Sequence, residues 1–253
     1  MREEIKKENR RALPKFFLVL LGAMVFGGVM GTLGYTAGRL GAADAAADAL
    51  VSLLREGMLW GIPAVTLALA GPGWWLYLSA RKGYRGWDGE DEAVIDRVEV
   101  RLSWALLLTA PAMALDMFFL TAAGVYGSGT TVFGVLGELV VSCGALVVLQ
   151  QKVVDLEKEI NPEKRGSVYQ RRFQKTWMDS CDESEQRQIG MAAYKAQRVT
   201  TYTCLALWLG LSILDNALSV GLLPMAVVLV IFAVSQTSYA LECIRLQKAE
   251  KAR

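Results

Sequence analysis

Three lone carboxylates hold most of the chemistry this sequence offers. Asp116 closes the triplet ALD in an apolar run from about Leu102 to Tyr126. Glu138 interrupts a run from about Thr130 to Gln150, and Asp215 closes ILD in a run from about Thr200 to Val220. No Lys or Arg shares any of the three runs. An ionised Asp at a bilayer centre costs about 2.5–3.5 kcal/mol on insertion scales, so such acids face a bundle interior or water and find partners. Each either stays protonated or bonds a donor such as Thr109, Asn216 or Ser219. Two uses follow. Neutral acids can lock helices together, or the runs holding Asp116 and Asp215 can enclose a proton or cation site with Glu138 as a third member.

Other reactive groups are scarce. The chain has no histidine, which removes the commonest acid–base group and metal ligand. Cys143, Cys181, Cys204 and Cys243 show no C-x-x-C spacing and fall in apolar or cytoplasmic stretches, so neither a disulfide nor a zinc site is expected. No phosphate-binding G-x-x-x-x-G-K-[ST] or nucleophile G-x-S-x-G motif occurs. A protein without enzymatic activity and without cofactor or metal is expected.

The elements that must position the acids are membrane helices. Hydrophobic residues make up 53% of the chain, and mean hydropathy is +0.32. A run of about 20 apolar residues crosses a hydrocarbon core of roughly 30 Å, where the backbone must satisfy itself within a helix. Six runs qualify, at about 16–38, 57–80, 102–126, 130–150, 200–220 and 222–241. They predict an all-α polytopic membrane protein, a single domain over residues 1–253. Of the 27 lysines and arginines, 25 lie before the first run, between the second and third, between the fourth and fifth, or after the sixth. Cytoplasmic loops collect basic residues. The pattern predicts a multi-pass protein of a bacterial cytoplasmic membrane with both termini inside. No signal cleavage is expected, because the first run is 23 residues long and five more follow. The outer side is nearly bare, with only Arg39–Glu56, Ala-rich and helical, expected to lie on the outer surface.

The longest inner segment, 151–199, has its own design. Asn161-Pro162 ends the helical extension of the fourth run. In NPEKRGSVYQRRFQKTWMDSCDESEQRQ, Tyr169, Phe173 and Trp177 recur at helical spacing, flanked by Arg171, Arg172 and Lys175. That pattern predicts an amphipathic cytoplasmic helix whose rings pack under the bundle, meet the inner leaflet of the bilayer, or dock a cytoplasmic protein partner. The basic run is too short and too tethered to predict nucleic-acid binding. Ser180 and Glu183 match a capping box that starts the next helix. In the first run Gly27, Gly31, Gly34 and Gly38 fall on one stripe that lets a helix approach closely, either within the chain or in a homodimer. An internal two-span repeat is also expected. Trp87, Asp88, Asp91 and Glu92 precede the third run as Trp177, Asp179, Asp182 and Glu183 precede the fifth, and Asp116 and Asp215 then fall in matching places.

The segments KENRRALPKFFLVL and NPEKRGSVY…RFQKTWMDSCDESE resemble a bacterial family of six-span membrane proteins of unknown function, found mostly in Gram-positive bacteria. The resemblance covers essentially the whole chain, and its specificity rests mainly on the loop motif. Gln170 stands where the family often carries an acid. The resemblance implies a six-span fold and brings no activity, substrate or catalytic residue.

The topology has a direct check. A cysteine placed at Ser128 should react with a membrane-impermeant reagent in intact cells. Labelling only after the cells are broken would overturn the orientation.

Overall fold

The computed structural model describes residues 18, 21–22, 24–26, 28–29, 31–33, 35–36, 42–218 and 220–251. Among these, every regular element is helical. Helix α1 (Ala42–Val65), a π-helical segment (Thr66–Ala70) and α2 (Gly71–Arg85) follow one another without a break. They are succeeded by α3 (Glu92–Tyr126), α4 (Gly129–Ile160), the short α5 (Phe173–Asp179), α6 (Glu183–Leu218) and α7 (Leu222–Lys251).

Four stretches are long and apolar enough to cross a membrane: Asp44–Arg85, Glu92–Tyr126, Gly129–Ile160 and Leu222–Lys248. They contain the second, third, fourth and sixth expected runs. The first run is described only in part, and there Met24–Leu33 is a shorter apolar helix. The fifth run is helical as far as Leu218, inside α6, but is not among the four. Thr200, Thr201, Thr203 and Asp215 dilute its hydropathy.

The segment Arg39–Glu56, expected to be helical, is helical from Ala42 onward and continues without a break into the rod that runs to Arg85. Neither proline nor glycine interrupts the alanine-rich stretch Ala42–Glu56, so nothing stops the helix there.

Residues 50–189 form one compact unit. Residues 190–253, with those up to 49, form another. In the first unit three rods, 50–85, α3 and α4, enclose a ladder of core clusters. Met58, Ile62, Ala123, Val135 and Leu139 fill the end near the α3–α4 turn. Val65, Ala70, Ala112 and Leu146 fill the middle. Tyr77, Ala80, Val98, Leu102, Ala105, Leu149, Val153 and Leu156 fill the opposite end. The π segment falls at the middle level. Thr66 O accepts the N–H of Gly71, five residues on, between Pro63 and Pro72, which lack the N–H groups an α-ladder needs.

The rods are connected by capped turns. Asp91 caps α3 by accepting Ala93 N–H (3.0 Å), and Asp88 accepts the N–H groups of Glu90 and Asp91, which holds its carboxyl below the usual carboxylate range. Tyr84 donates its hydroxyl to Glu159 O (2.9 Å), tying this turn to the end of α4. In the second unit, α6 and α7 are joined by side-chain bonds. Ser235 donates to Gln197 (2.7 Å) and Gln236 to Thr201 (2.6 Å).

Among the described residues, close helix contact falls at Gly61 and Gly73. Gly27, Gly34 and Gly38 lie outside the described residues, and a Cβ on Gly31 would meet no described atom within 4 Å. A Cβ on Gly61, by contrast, would lie 2.3 Å from the Phe119 ring, and one on Gly73 would lie 3.1 Å from Leu149. The rod can approach α3 and α4 only where side chains are missing. Gly61→Ala should therefore destabilise the protein by about 1–3 kcal/mol through overpacking. Gly57→Ala, with open space at its Cβ, should stay within about 0.5 kcal/mol. Thermal unfolding of the two variants in the same detergent checks the difference.

Candidate functional site

The first unit carries two polar sites, one at its middle level and one at the end where the loop between α4 and α6 packs, called the inner site after the side on which the sequence places that loop. The middle site is built on Asp116. This residue is fully buried among the rods. Ser142 of α4 donates its hydroxyl to Asp116 Oδ2 (2.6 Å), and Thr66 of the π segment is 3.0 Å from Ser142 Oγ. Because a hydroxyl has one proton, Ser142 gives its own to Asp116 and accepts that of Thr66. Asp116 Oδ1 has no hydrogen-bond partner among the described residues, and neither has the buried Glu138 Oε2. Glu138 lies one helical turn before Ser142 and shares with it and Thr66 the wall of a groove of about 620 Å³. Apart from these three, the wall is apolar, with Ile62, Pro63, Leu67 and Val141 among its residues.

The expected donors are differently engaged. Thr109 donates to Leu106 O (2.8 Å) and accepts from Gln150 Nε2 (2.9 Å). Asn216 and Ser219 have no described side chains. Asp215 is the equivalent of Asp116 in position alone. Its Oδ1 accepts Gly221 N–H (2.7 Å) and closes the turn between α6 and α7, where Gly221 takes a φ of +82°. Asp116 belongs to the first unit and Asp215 to the second.

The inner site is the segment Asn161–Gln188. Its fold depends on two side chains that the sequence pattern did not single out. Gln151 on α4 accepts from Ser167 Oγ (2.9 Å) and Val168 N–H (2.8 Å) and donates to Asp155 (2.7 Å). Lys164 is buried, ion-paired with Glu185 and 3.7 Å from Cys181 Sγ. Gly166, at φ +116°, turns the chain against the Phe173 ring. A cavity of about 290 Å³ lies under the loop, walled by Glu99, Leu102, Glu157, Lys164, Trp177 and Cys181 among others.

Two details of the expected loop are corrected. The three rings do not share a helix. Tyr169 lies in a turn before α5, which begins only at Phe173, because Gln151 and the Gln170 N–H bond to Ser167 O hold residues 167–170 in turns. Phe173 and Trp177 remain paired, with ring centroids 5.7 Å apart. The capping box is also displaced by two residues. Asp182 accepts Glu185 N–H (2.8 Å) and Glu185 accepts Asp182 N–H (3.0 Å). Ser180 instead ends α5, donating to Trp177 O (2.7 Å) and accepting Arg165 N–H (3.1 Å). The lead-in acids of the expected repeat do correspond. Asp91 and Asp182 both cap, and Glu92 and Glu183 are the first residues of α3 and α6.

The electrostatics of the inner site favour a closed fastener. Burial is the largest single influence on Lys164 and opposes its charge, but Glu185 and Cys181 outweigh it and raise its pKa. Burial pushes the Cys181 thiol up as well, so it is a poor nucleophile. Among the described residues no group of three or more His, Cys, Asp or Glu is arranged to hold a metal ion.

No protein-family model, characterised protein or solved structure matches the chain. The reading of its sites rests on geometry and chemistry.

The Lys164–Glu185 bridge makes an asymmetric prediction. Glu185→Gln keeps the capping geometry but strands a buried ammonium, and should cost about 3–5 kcal/mol. Lys164→Met leaves a carboxylate that still reaches water and should cost less. Alkali should act in the same direction. Both Lys164 and Cys181 hold their protons more tightly folded than unfolded, so their contribution is complete below pH 9. It is lost as pH rises past 9.0 for the thiol and 10.5 for the ammonium. Thermal unfolding in detergent across that range checks both.

Proposed function

We propose that the chain is a six-span protein of the bacterial cytoplasmic membrane with both termini in the cytoplasm. It carries out no catalysis, and its working surface is the inner loop between α4 and α6, held against the anionic inner leaflet. Four long apolar helices and the one-sided distribution of Lys and Arg support the architecture.

One observation carries the functional reading. Gln151 and Lys164 clamp the loop from behind, leaving Tyr169 66% exposed and Arg171, Arg172 and Lys175 exposed on its free side. The segment follows directly from a membrane-crossing helix, so these groups stay within reach of headgroups. Each Lys or Arg near an anionic surface contributes about 1 kcal/mol, and an aromatic ring suits the headgroup level. Phe173 and Trp177 support the surface from beneath, half-buried against each other and the cavity. A second reading, a small transporter, is favoured by the carboxyl oxygens of Asp116 and Glu138 that lack partners among the described residues.

Hydrogen exchange over residues 168–179, in nanodiscs of phosphatidylcholine with and without phosphatidylglycerol, tests the leaflet reading. Protection should rise with the anionic lipid, fall with salt, and vanish when Arg171, Arg172 and Lys175 are all changed to Glu. Equal exchange in both lipids would overturn it. So would protection that arrives only with added cytosol, which would replace the leaflet by a soluble partner.

A further inference from the structure

We infer that Asp116, Ser142 and Thr66 form a proton-exchange site at the π segment, with Glu138 as the acid at its mouth. The inference rests on the transporter reading and specifies its ion and its route. The observations are geometric. A carboxyl buried completely at the middle of three rods accepts one hydroxyl and leaves its second oxygen without a partner among the described residues. A structural acid that only locks helices would be expected to use both oxygens, because an unmet buried acceptor is costly. The hydroxyl it does use belongs to Ser142, which also lines the groove, and that hydroxyl meets Thr66 where the helix leaves its α-ladder. The chain of hydroxyls therefore connects a sealed carboxyl to a groove that Glu138 also lines.

The ion is a proton. A metal cation of this class needs about six oxygen ligands to replace its water. Around Asp116 the structure offers Ser142 and, through it, Thr66. No Lys or Arg occurs in the segments 57–80, 102–126 or 130–150 to neutralise the carboxylate. Cys143 of α4 lies near enough to feel the charge of Asp116, Glu138 of α4 lines the neighbouring groove, and the stretch 57–80 supplies only Tyr77, which belongs to the core cluster around Leu149.

The transfer balances with no other reactant. With Asp116 ionised, Thr66 donates to Ser142 and Ser142 to Asp116. A proton accepted by Thr66 from the groove moves the Thr66 proton to Ser142 and the Ser142 proton to Asp116 Oδ2. Each hydroxyl has gained one proton and given one, and the carboxylate has become a neutral acid. The hydroxyls must turn back before the next transfer. The π segment has a local reason to permit this, since its ladder bonds are already displaced from the α register.

Infrared difference spectroscopy of the full chain in phosphatidylcholine–phosphatidylglycerol vesicles tests the site. Between about pH 5 and about pH 9, a range that spans raised carboxyl pKa values, a protonated-carboxyl band should appear and disappear. Asp116→Asn should lose the band, Ser142→Ala should shift it, and Ser142→Thr, which keeps the hydroxyl, should restore it. If Asp116→Asn does not fold, the shift in Ser142→Ala identifies the same band. A band from Asp116 that is present, or absent, at every pH would overturn the proposal. Proton flux into the same vesicles, driven by a potassium diffusion potential and read by an internal pH dye, separates the site from transport. A titrating Asp116 without flux supports the site and ends the transporter reading. Flux with an Asp116 that never titrates keeps transport and sinks the site.

Discussion

The bond from Ser142 to Asp116 joins α4 to α3 at the level where the rod 42–85 changes its helical register. A carboxyl in that position constrains everything around it. It must be shielded from lipid, which demands that the three rods close on each other. It must have a donor, which fixes α4 in rotation, because Ser142 has to face inward between Leu139 and Leu146, themselves core residues one turn away on either side. The third rod must then come near enough for Thr66 to reach Ser142. Small residues make that possible, with Gly61 and Gly73 on the rod and Ala105, Ala112 and Ala123 on α3. Polar specificity at the middle level and close packing above and below it are one solution.

The inner end is organised around a buried ammonium. Lys164 lies beneath its loop rather than on it, and Glu185 serves two duties there. It receives the ammonium and it completes the helix cap with Asp182. The start of α6 and the folding of the loop are thereby coupled through one carboxylate. Gln151 provides the corresponding fixed point on α4. The cations and ring left outward sit on a fastened support, which reduces the ordering entropy that contact with a surface would otherwise demand.

The acids illustrate how position in a span differs from role. Asp116 and Asp215 follow the same triplet pattern, yet one is sealed at mid-helix and the other caps a turn that needs glycine at Gly221. Asp116 lies well inside α3, whereas Asp215 lies in the last turn of α6, where it can reach the following loop. In the same way Ser180 and Asp182 both fit a capping pattern on paper. The helix takes Asp182, whose partner in the cap, Glu185, also accepts from Lys164.

Hydropathy alone determined the helical class, the four stretches long and apolar enough to cross a membrane, and the lone acids, because hydrocarbon imposes its rule on each segment separately. Local acids likewise marked the starts of α3 and α6, since capping needs only neighbours a few residues away. Tertiary structure decided which partners those residues found. Ser142 reaches Asp116 across 26 positions, Thr66 reaches Ser142 across 76, and Gln151 meets Val168 across 17. None of these spacings has a period that one helix could display. The loop stripe failed as a pattern for the same reason. Helical spacing from Tyr169 to Trp177 was real in the sequence, but Gln151, from another element, held the first of those rings in a turn. Local periodicity fixes what a segment can become in isolation, and side chains brought in from distant segments select among those outcomes.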